Sequence, residues 1–187
     1  MANLSLHWVN DLPGALIQIR RCLRPDGLFL ASLPGLGTLG PLRDALAAAE
    51  SELRGGVSPR VSPFPELQDL AALLQRAGFA LPVADAEELP LAYRTPTGLL
   101  EDLRDAGETN AALARDGRVP PRALLPSALA RLPAGSGGIK PVLRLLTITG
   151  WAPHESQSKP ARPGSANARL SDALGVEERS AGEKAGR

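Results

Sequence analysis

The stretch that decides the fold lies at residues 3–33 and reads NLSLHWVNDLPGALIQIRRCLRPDGLFLASL. Residues 4–10 predict the end of a strand that runs into a loop. Apolar side chains then recur at helical spacing, with Asp11 as the expected N-cap and Pro13 in the first turn. A Pro-Asp-Gly turn leads into the wholly apolar run at residues 28–33, which is typical of a strand buried in a parallel sheet.

The rest of the chain continues this alternation. Helices are predicted near residues 39–53, 67–77, 97–106 and 122–132, and strands at residues 79–83, 87–93 and 142–151. The order predicts an α/β fold with a mostly parallel sheet over residues 1–154. Residues 155–187 contain no aromatic side chain and are rich in Ser, Ala, Gly and Arg. We therefore expect this segment to form a disordered tail.

Composition excludes several classes of protein. Hydrophobic residues make up 43% of the 187 residues but aromatic residues only 3%, which predicts an aliphatic core. A net charge of +1 argues against a nucleic-acid partner. The single cysteine, Cys22, permits no internal disulfide, and its place in the apolar rhythm of a helix predicts a buried, inert thiol. We find neither a secretory signal pattern nor an apolar run of the roughly 20 residues that would span a membrane.

The opening stretch resembles the second half of class I S-adenosylmethionine-dependent methyltransferases. The resemblance rests on the N-L-x-L-x-W pattern from Asn3 to Trp8, the L-R-P-D-G turn at residues 23–27 and the strand that follows. Four further segments, TLGPLRDALAAAESE, GGVSPRVSPF, DLRDAGETNA and GWAPHESQSKPARPGSA, are similar to the methyltransferase-like complex I assembly factors. That family lies near the malonyl-acyl-carrier-protein methyltransferases, and the resemblance covers residues 3–166.

The resemblance implies the C-terminal half of a Rossmann-like methyltransferase fold, with a partly incomplete, mostly parallel sheet. The family's first three strands and its glycine-rich cofactor turn have no counterpart here. We therefore expect either a truncated protein or an incorrect gene start. We also expect weak cofactor binding by this chain alone, and self-association through an exposed sheet edge.

The implied cofactor is S-adenosylmethionine, with Asn3, Leu4, His7 and Trp8 around its methionine end. The implied reaction is methyl transfer or arginine hydroxylation, on a respiratory complex I subunit or another protein. The implied compartment is the bacterial cytoplasm or the mitochondrial matrix. The alternative is a non-catalytic protein-binding or assembly module.

Gly35, Gly37 and Gly40 spell G-x-G-x-x-G, the pattern of a dinucleotide-binding turn. In the family that the chain resembles, this motif follows the first strand of the sheet. Here it follows the strand that corresponds to the family's fifth strand. The acidic residue that would hold a ribose is also missing, because Glu50 and Glu52 lie within a predicted helix. We predict that these glycines do not bind a dinucleotide.

The remaining candidates leave the catalytic residues unassigned. Packing under the following helix is the alternative for Trp8, and a structural role is the alternative for Asn3 and His7. Glu108 and Asn110 are expected in a solvated loop, the alternative being contact with substrate. Two histidines and one cysteine give no metal-ligand spacing, so no metal site is predicted.

Overall fold

The computed structural model describes residues 1–158, 165 and 170–176, and the chain divides into two units, Met1–His154 and Glu155–Arg187. The strands of the first unit are β1 (Ala2–Asn3), β2 (Leu28–Pro34), β3 (Ala80–Pro90), β4 (Ala134–Gly135), β5 (Gly138–Ile139) and β6 (Val142–Trp151). Its helices are α1 (Leu12–Cys22), α2 (Gly40–Arg54), α3 (Leu67–Arg76), α4 (Pro96–Asp105) and α5 (Leu124–Leu129), and a 3-10 turn covers Leu6–Trp8.

Four strands form one mixed sheet in the order β1-β2-β6-β3. Strand β1 pairs parallel with β2, while β6 pairs antiparallel with both β2 and β3. Strands β1, β2 and β3 therefore share one direction, in line with the predicted α/β fold. The last strand, predicted correctly at residues 142–151, lies between β2 and β3 and opposes them, so both long pairings are antiparallel. Strand β1 lies at one edge of the sheet, and self-association through this edge stays a prediction.

Local signals account for the starts and ends of the helices. The Asp11 carboxylate accepts a hydrogen bond of 2.9 Å from the Gly14 amide, which confirms the predicted cap of α1. Helix α2 begins at Gly40 and Pro41 and ends where Gly55 takes a positive φ of 71°. The prediction of two strands at residues 79–83 and 87–93 is wrong, because a single strand, β3, runs without a break from Ala80 to Pro90. Its alternation of exposed and half-buried residues fits a sheet, although alanine and acidic residues are weak strand formers.

Two aliphatic cores stabilise the first unit. One lies between the sheet and helices α1 and α3 and includes Leu16, Leu33, Leu70, Leu74 and Ile148. The other joins α2 to α4 and α5 and includes Leu42, Leu46, Leu99, Leu124 and Ala128. The predicted aliphatic core is thus confirmed. The predicted burial of Cys22 is wrong: its thiol is free and exposed, because it lies beside the apolar stripe of α1 rather than within it.

Of the second unit, the described residues include one short helix, α6 (Leu170–Leu174). Most of the segment for which a disordered tail was predicted lies outside the described residues. Among the helices that the structure does describe, none combines the length and the apolar character that a membrane crossing demands.

Candidate functional site

A cavity of about 550 Å³ lies beside the carboxyl ends of β1 and β2, the edge at which open α/β sheets bind ligands. Leu4 and Pro34 reach it from the sheet, and Arg60 and Phe64 from the loop after α2. Its apolar walls come from α2, α4 and α5 and include Leu42, Leu46, Leu99, Leu103 and Leu124. We call this space the main cavity. A second cavity, of about 420 Å³, is lined by His7 and Trp8 and shares Ser62 and Phe64 with the first.

The structure brings together two candidates that lie 101 residues apart, His7 and Glu108. The Nε2 atom of His7 is 3.1 Å from one carboxylate oxygen of Glu108 and 3.2 Å from the other. The His7 side chain is 2% exposed and that of Glu108 33%. Trp8 and Phe64 flank the imidazole, at ring-centroid distances of 5.3 and 6.3 Å. Glu108 lies in a loop, as expected, and lines the main cavity, and its contact with substrate stays a prediction.

The other predicted cofactor residues lie in the same region. The Asn3 side-chain oxygen accepts a hydrogen bond from the Ser32 hydroxyl on the neighbouring strand. Leu4 has a positive φ of 45° and lines the main cavity, and its amide donates to the Ser32 carbonyl at 2.9 Å. Asn110 also lines this cavity, and its side chain donates to the Pro59 carbonyl at 2.7 Å. Asn110 therefore ties together two loops of the wall.

The glycine motif at residues 35–40 has few backbone amides to offer a phosphate. The amides of Gly35 and Leu39 donate to carbonyls of β6, at 2.8 and 3.3 Å. Those of Leu36, Thr38 and Gly40 donate to carbonyls in neighbouring loops or in the same turn. A dinucleotide site depends on free amides that point at the pyrophosphate. These bonds therefore support the prediction that the motif does not bind a dinucleotide.

Glu50 is a buried carboxylate that sequence reasoning considered only as a ribose ligand. Its side chain is 2% exposed and forms an ion pair with the Arg60 guanidinium. It also accepts from the Ser58 amide at 3.0 Å and lies 3.6 Å from an Arg54 nitrogen. Arg54 in turn binds Asp116 at 2.7 Å. This network fixes the loops that carry Arg60 and Asp116. A sequence signal existed, because position 50 follows Leu46 by four residues on the apolar face of α2.

The buried network predicts a loss of stability in acid. The hydrogen bond from Arg60 holds the pKa of the Glu50 carboxyl below its ordinary value of 4.5, against burial, which acts to raise it. The hydrogen bond from the Arg118 side chain lowers the pKa of Asp116 to about 2. Because both values are lowered by folding, the stabilisation is present above pH 4.5 and is lost as the pH falls towards 2.

We therefore expect the free energy of unfolding to fall across this window, and to fall less steeply in Glu50→Gln. Urea titrations between pH 7 and pH 3 measure both slopes. Equal slopes for the two proteins would contradict the assignment to Glu50.

Tyr93 and Asp102 are two further polar residues in the wall of the main cavity. Burial raises the pKa of Tyr93, and a hydrogen bond with the Asp102 carboxylate raises it further. Both residues line the cavity.

Within residues 1–158, 165 and 170–176, no three His, Cys, Asp or Glu side chains come together as metal ligands.

Comparison with known proteins shows which proteins the chain resembles. The sequence matches no protein-family model. It is 41% identical over 180 residues to the mitochondrial arginine-hydroxylase NDUFAF5 of Dictyostelium discoideum, covering 94% of this chain and 41% of that protein. Proteins named NDUFAF5 from zebrafish and human are similar to the chain to the same degree, at 38% and 41% identity over 92% and 89% of its length. It is also 40% identical over 110 residues to a malonyl-(acyl-carrier protein) O-methyltransferase of Xylella fastidiosa, covering 59% of this chain and 35% of the enzyme.

The chain spans about half the length of the curated NDUFAF5 relatives that it matches. Among solved structures, the YcgJ protein of Bacillus subtilis overlaps 81% of this chain and 62% of its own, with a TM-score of 0.49 and 14% identity. Because the match to the Dictyostelium protein spans 94% of the chain, most of the sheet and the cavity walls belong to the part shared with that relative.

Proposed function

We propose that this chain contributes the substrate cavity and one end of the cofactor site of an S-adenosylmethionine-dependent, methyltransferase-like protein of the complex I assembly type. The observation that carries the proposal is the position of the main cavity. It opens beside Leu4 at the carboxyl edge of the sheet, and its mostly leucine-lined wall includes the carboxylates of Asp102 and Glu108. A cavity of this size, lined mostly by apolar side chains with a few polar groups among them, is typical of small-molecule and substrate sites.

The substrate that fits this proposal is an arginine side chain of a protein. The relatives named NDUFAF5 are called arginine-hydroxylases, and the bacterial relatives are called methyltransferases. An arginine side chain combines a methylene stem with a cationic head, and the cavity combines leucine walls with carboxylates. We include both methyl transfer and hydroxylation in the proposal, because the relatives' names support each.

The residues at the end of β1 fit the methionine end of the cofactor. The turn after β1 leaves the sheet at Leu4, so this residue borders the main cavity, while His7 lines the second cavity. Bound S-adenosylmethionine supplies an electrophilic methyl group on its sulfonium. The chain's own part is to hold that end of the molecule and to keep water from it with Leu4 and the neighbouring leucines. The glycine motif takes no part in the proposal, since five of the six amides at residues 35–40 are engaged in other hydrogen bonds.

The proposed partner is a complex I subunit that presents the arginine. The proposed compartment follows that partner: the mitochondrial matrix in a eukaryote and the cytoplasm in a bacterium. The relatives' designation as mitochondrial supports the first of these.

Saturation-transfer NMR with S-adenosylmethionine tests the proposal, because the method detects weak ligands. We expect weak binding in which the methionine protons receive more saturation than the adenine protons, since this chain holds only the methionine end. His7→Phe is expected to reduce the transfer, whereas His154→Phe, at the chain's other histidine, is expected to leave it unchanged. NADH serves as the negative control.

Equal saturation of both ends, or none at all, would contradict the proposed cofactor site. Binding of NADH in preference to S-adenosylmethionine would restore the dinucleotide interpretation of residues 35–40.

A further inference from the structure

The geometry of the contact between His7 and Glu108 indicates which nitrogen of the imidazole carries the proton. The Nδ1 atom of His7 is buried and finds no hydrogen-bond partner among the described residues. A proton on Nδ1 would therefore be a buried donor without an acceptor, which is unfavourable. The form that fits is the neutral imidazole with its proton on Nε2, donating to Glu108. A neutral donor orients the carboxylate but does not cancel its charge.

The other charged groups of the main cavity do not cancel it either. The nearby guanidinium of Arg60 is already paired with the buried Glu50. Asp102 adds a second carboxylate, which is bonded to Tyr93 rather than to a cation. Arg104 also borders the cavity, but it is exposed near the end of α4. In the part of the chain that the structure describes, the hydrogen bonds and ion pairs of the Glu108 carboxylate involve His7 alone.

Glu108 is also free to accept further hydrogen bonds. A carboxylate has about four acceptor sites on its two oxygens. The Nε2–H of His7 lies between the two oxygens and is shared by both, so their outer sites remain. With 33% of its side chain exposed and a position in the cavity wall, the carboxylate can receive N–H donors from a ligand in the cavity.

We propose that Glu108 is the specificity-determining residue that receives the guanidinium group of the substrate arginine, and that His7 is the residue that positions it. This inference rests on the proposed function, since it assigns the charged head of that substrate to a side chain. The leucines of α2 and α4 contact the methylene stem, and the outer oxygen sites of Glu108 accept from the guanidinium. A neutral side chain of the same shape is bound less well, because a charge-assisted hydrogen bond is lost.

The test compares two probes of nearly the same shape, N-acetyl-arginine methylamide and N-acetyl-citrulline methylamide; in the second, a urea oxygen replaces one guanidinium nitrogen, which removes the charge and that nitrogen's N–H donors. Binding of each to the 187-residue protein is measured by NMR titration, with and without S-adenosylmethionine. We expect the wild-type protein to prefer the arginine probe by about tenfold or more. Glu108→Gln keeps the size of the side chain and an acceptor for His7 but removes the charge, and is expected to abolish the preference. Glu101→Gln, at an exposed carboxylate of α4, is the matched control and keeps it.

A separate pair of variants tests whether His7 positions Glu108. His7→Phe keeps a flat ring but removes the donor, so we expect the preference for arginine to fall severalfold while the melting temperature changes little. His7→Gln restores an N–H donor and is expected to recover part of the preference. A purely structural His7 would lower the melting temperature without changing the ratio of the two affinities.

Three outcomes overturn the inference: no preference in the wild-type protein, a preference that survives Glu108→Gln, or the same loss in Glu101→Gln. Should Glu108→Gln fail to fold, Glu108→Asp retracts the charge by one methylene and is expected to weaken the preference. Binding of S-adenosylmethionine separates the two proposals. A protein that binds the cofactor but not the arginine probe contradicts the inference alone, whereas one that binds neither contradicts the proposed function as well.

Discussion

Replacement of Glu50 by alanine is expected to lower the free energy of unfolding by about 3–5 kcal/mol, the range for removal of one partner from a buried ion pair. The Glu50 carboxylate is buried in the inner face of α2 and neutralises Arg60, whose side chain is only 16% exposed. The substitution leaves that guanidinium without its counter-charge. It also leaves the Ser58 amide without its acceptor. Urea denaturation at pH 7 measures the loss.

Glu52 provides the matched control for this prediction. It lies two residues further along the same helix, its side chain is 63% exposed, and it pairs with Arg131 at the surface. Glu52→Ala is expected to change stability by no more than about 1 kcal/mol. The double variant Glu50→Ala with Arg60→Ala is expected to be less destabilised than the sum of its single variants, because removal of the arginine removes the unpaired charge. A loss in Glu50→Ala no larger than in Glu52→Ala would contradict this account.

Gly35→Ala is expected to destabilise the protein by about 1–3 kcal/mol through overpacking. A Cβ atom at Gly35 would lie 2.6–2.9 Å from three side-chain atoms of Leu146. Leu146 is 1% exposed in the middle of β6, so its side chain is surrounded by the core. Gly40→Ala is the control, since its Cβ meets nothing within 4 Å. We expect it to be neutral or to stabilise the protein by a few tenths of a kcal/mol, because glycine has more freedom in the unfolded chain.

This comparison also tests the role of the glycine motif. If Gly35 is required for packing against β6, Gly35→Ala lowers the melting temperature, and Leu146→Val in the same protein recovers part of the loss. Neither glycine variant is expected to change the response to NADH. Equal stability of the two variants, or loss of an NADH affinity in Gly35→Ala alone, would show that packing is not the reason for this glycine.

The sequence predicted most of the fold's elements and part of its site. Capping and turn residues such as Asp11 and Gly55 act within four residues along the chain, so the helix boundaries could be predicted from local patterns. The break predicted within β3 was wrong, because Ala84 and Ala86 pack against the sheet core and the pairing with β6 continues through them. The exposure of Cys22 was also missed. Helical periodicity shows which face of a helix is apolar, but it does not determine whether a residue at the border of that face is buried.

What the sequence by itself determined was most of the order of helices and strands, the aliphatic nature of the core and the resemblance to methyltransferase-like proteins. Only the tertiary structure decided that β6 lies antiparallel between β2 and β3, that Glu50 meets Arg60, and that His7 meets Glu108. The physical reason is the range of the interactions involved. Periodicity and capping arise between residues a few positions apart, whereas a contact across 101 residues depends on how all the intervening elements pack. No local sequence pattern around His7 or around Glu108 predicts that the two side chains meet.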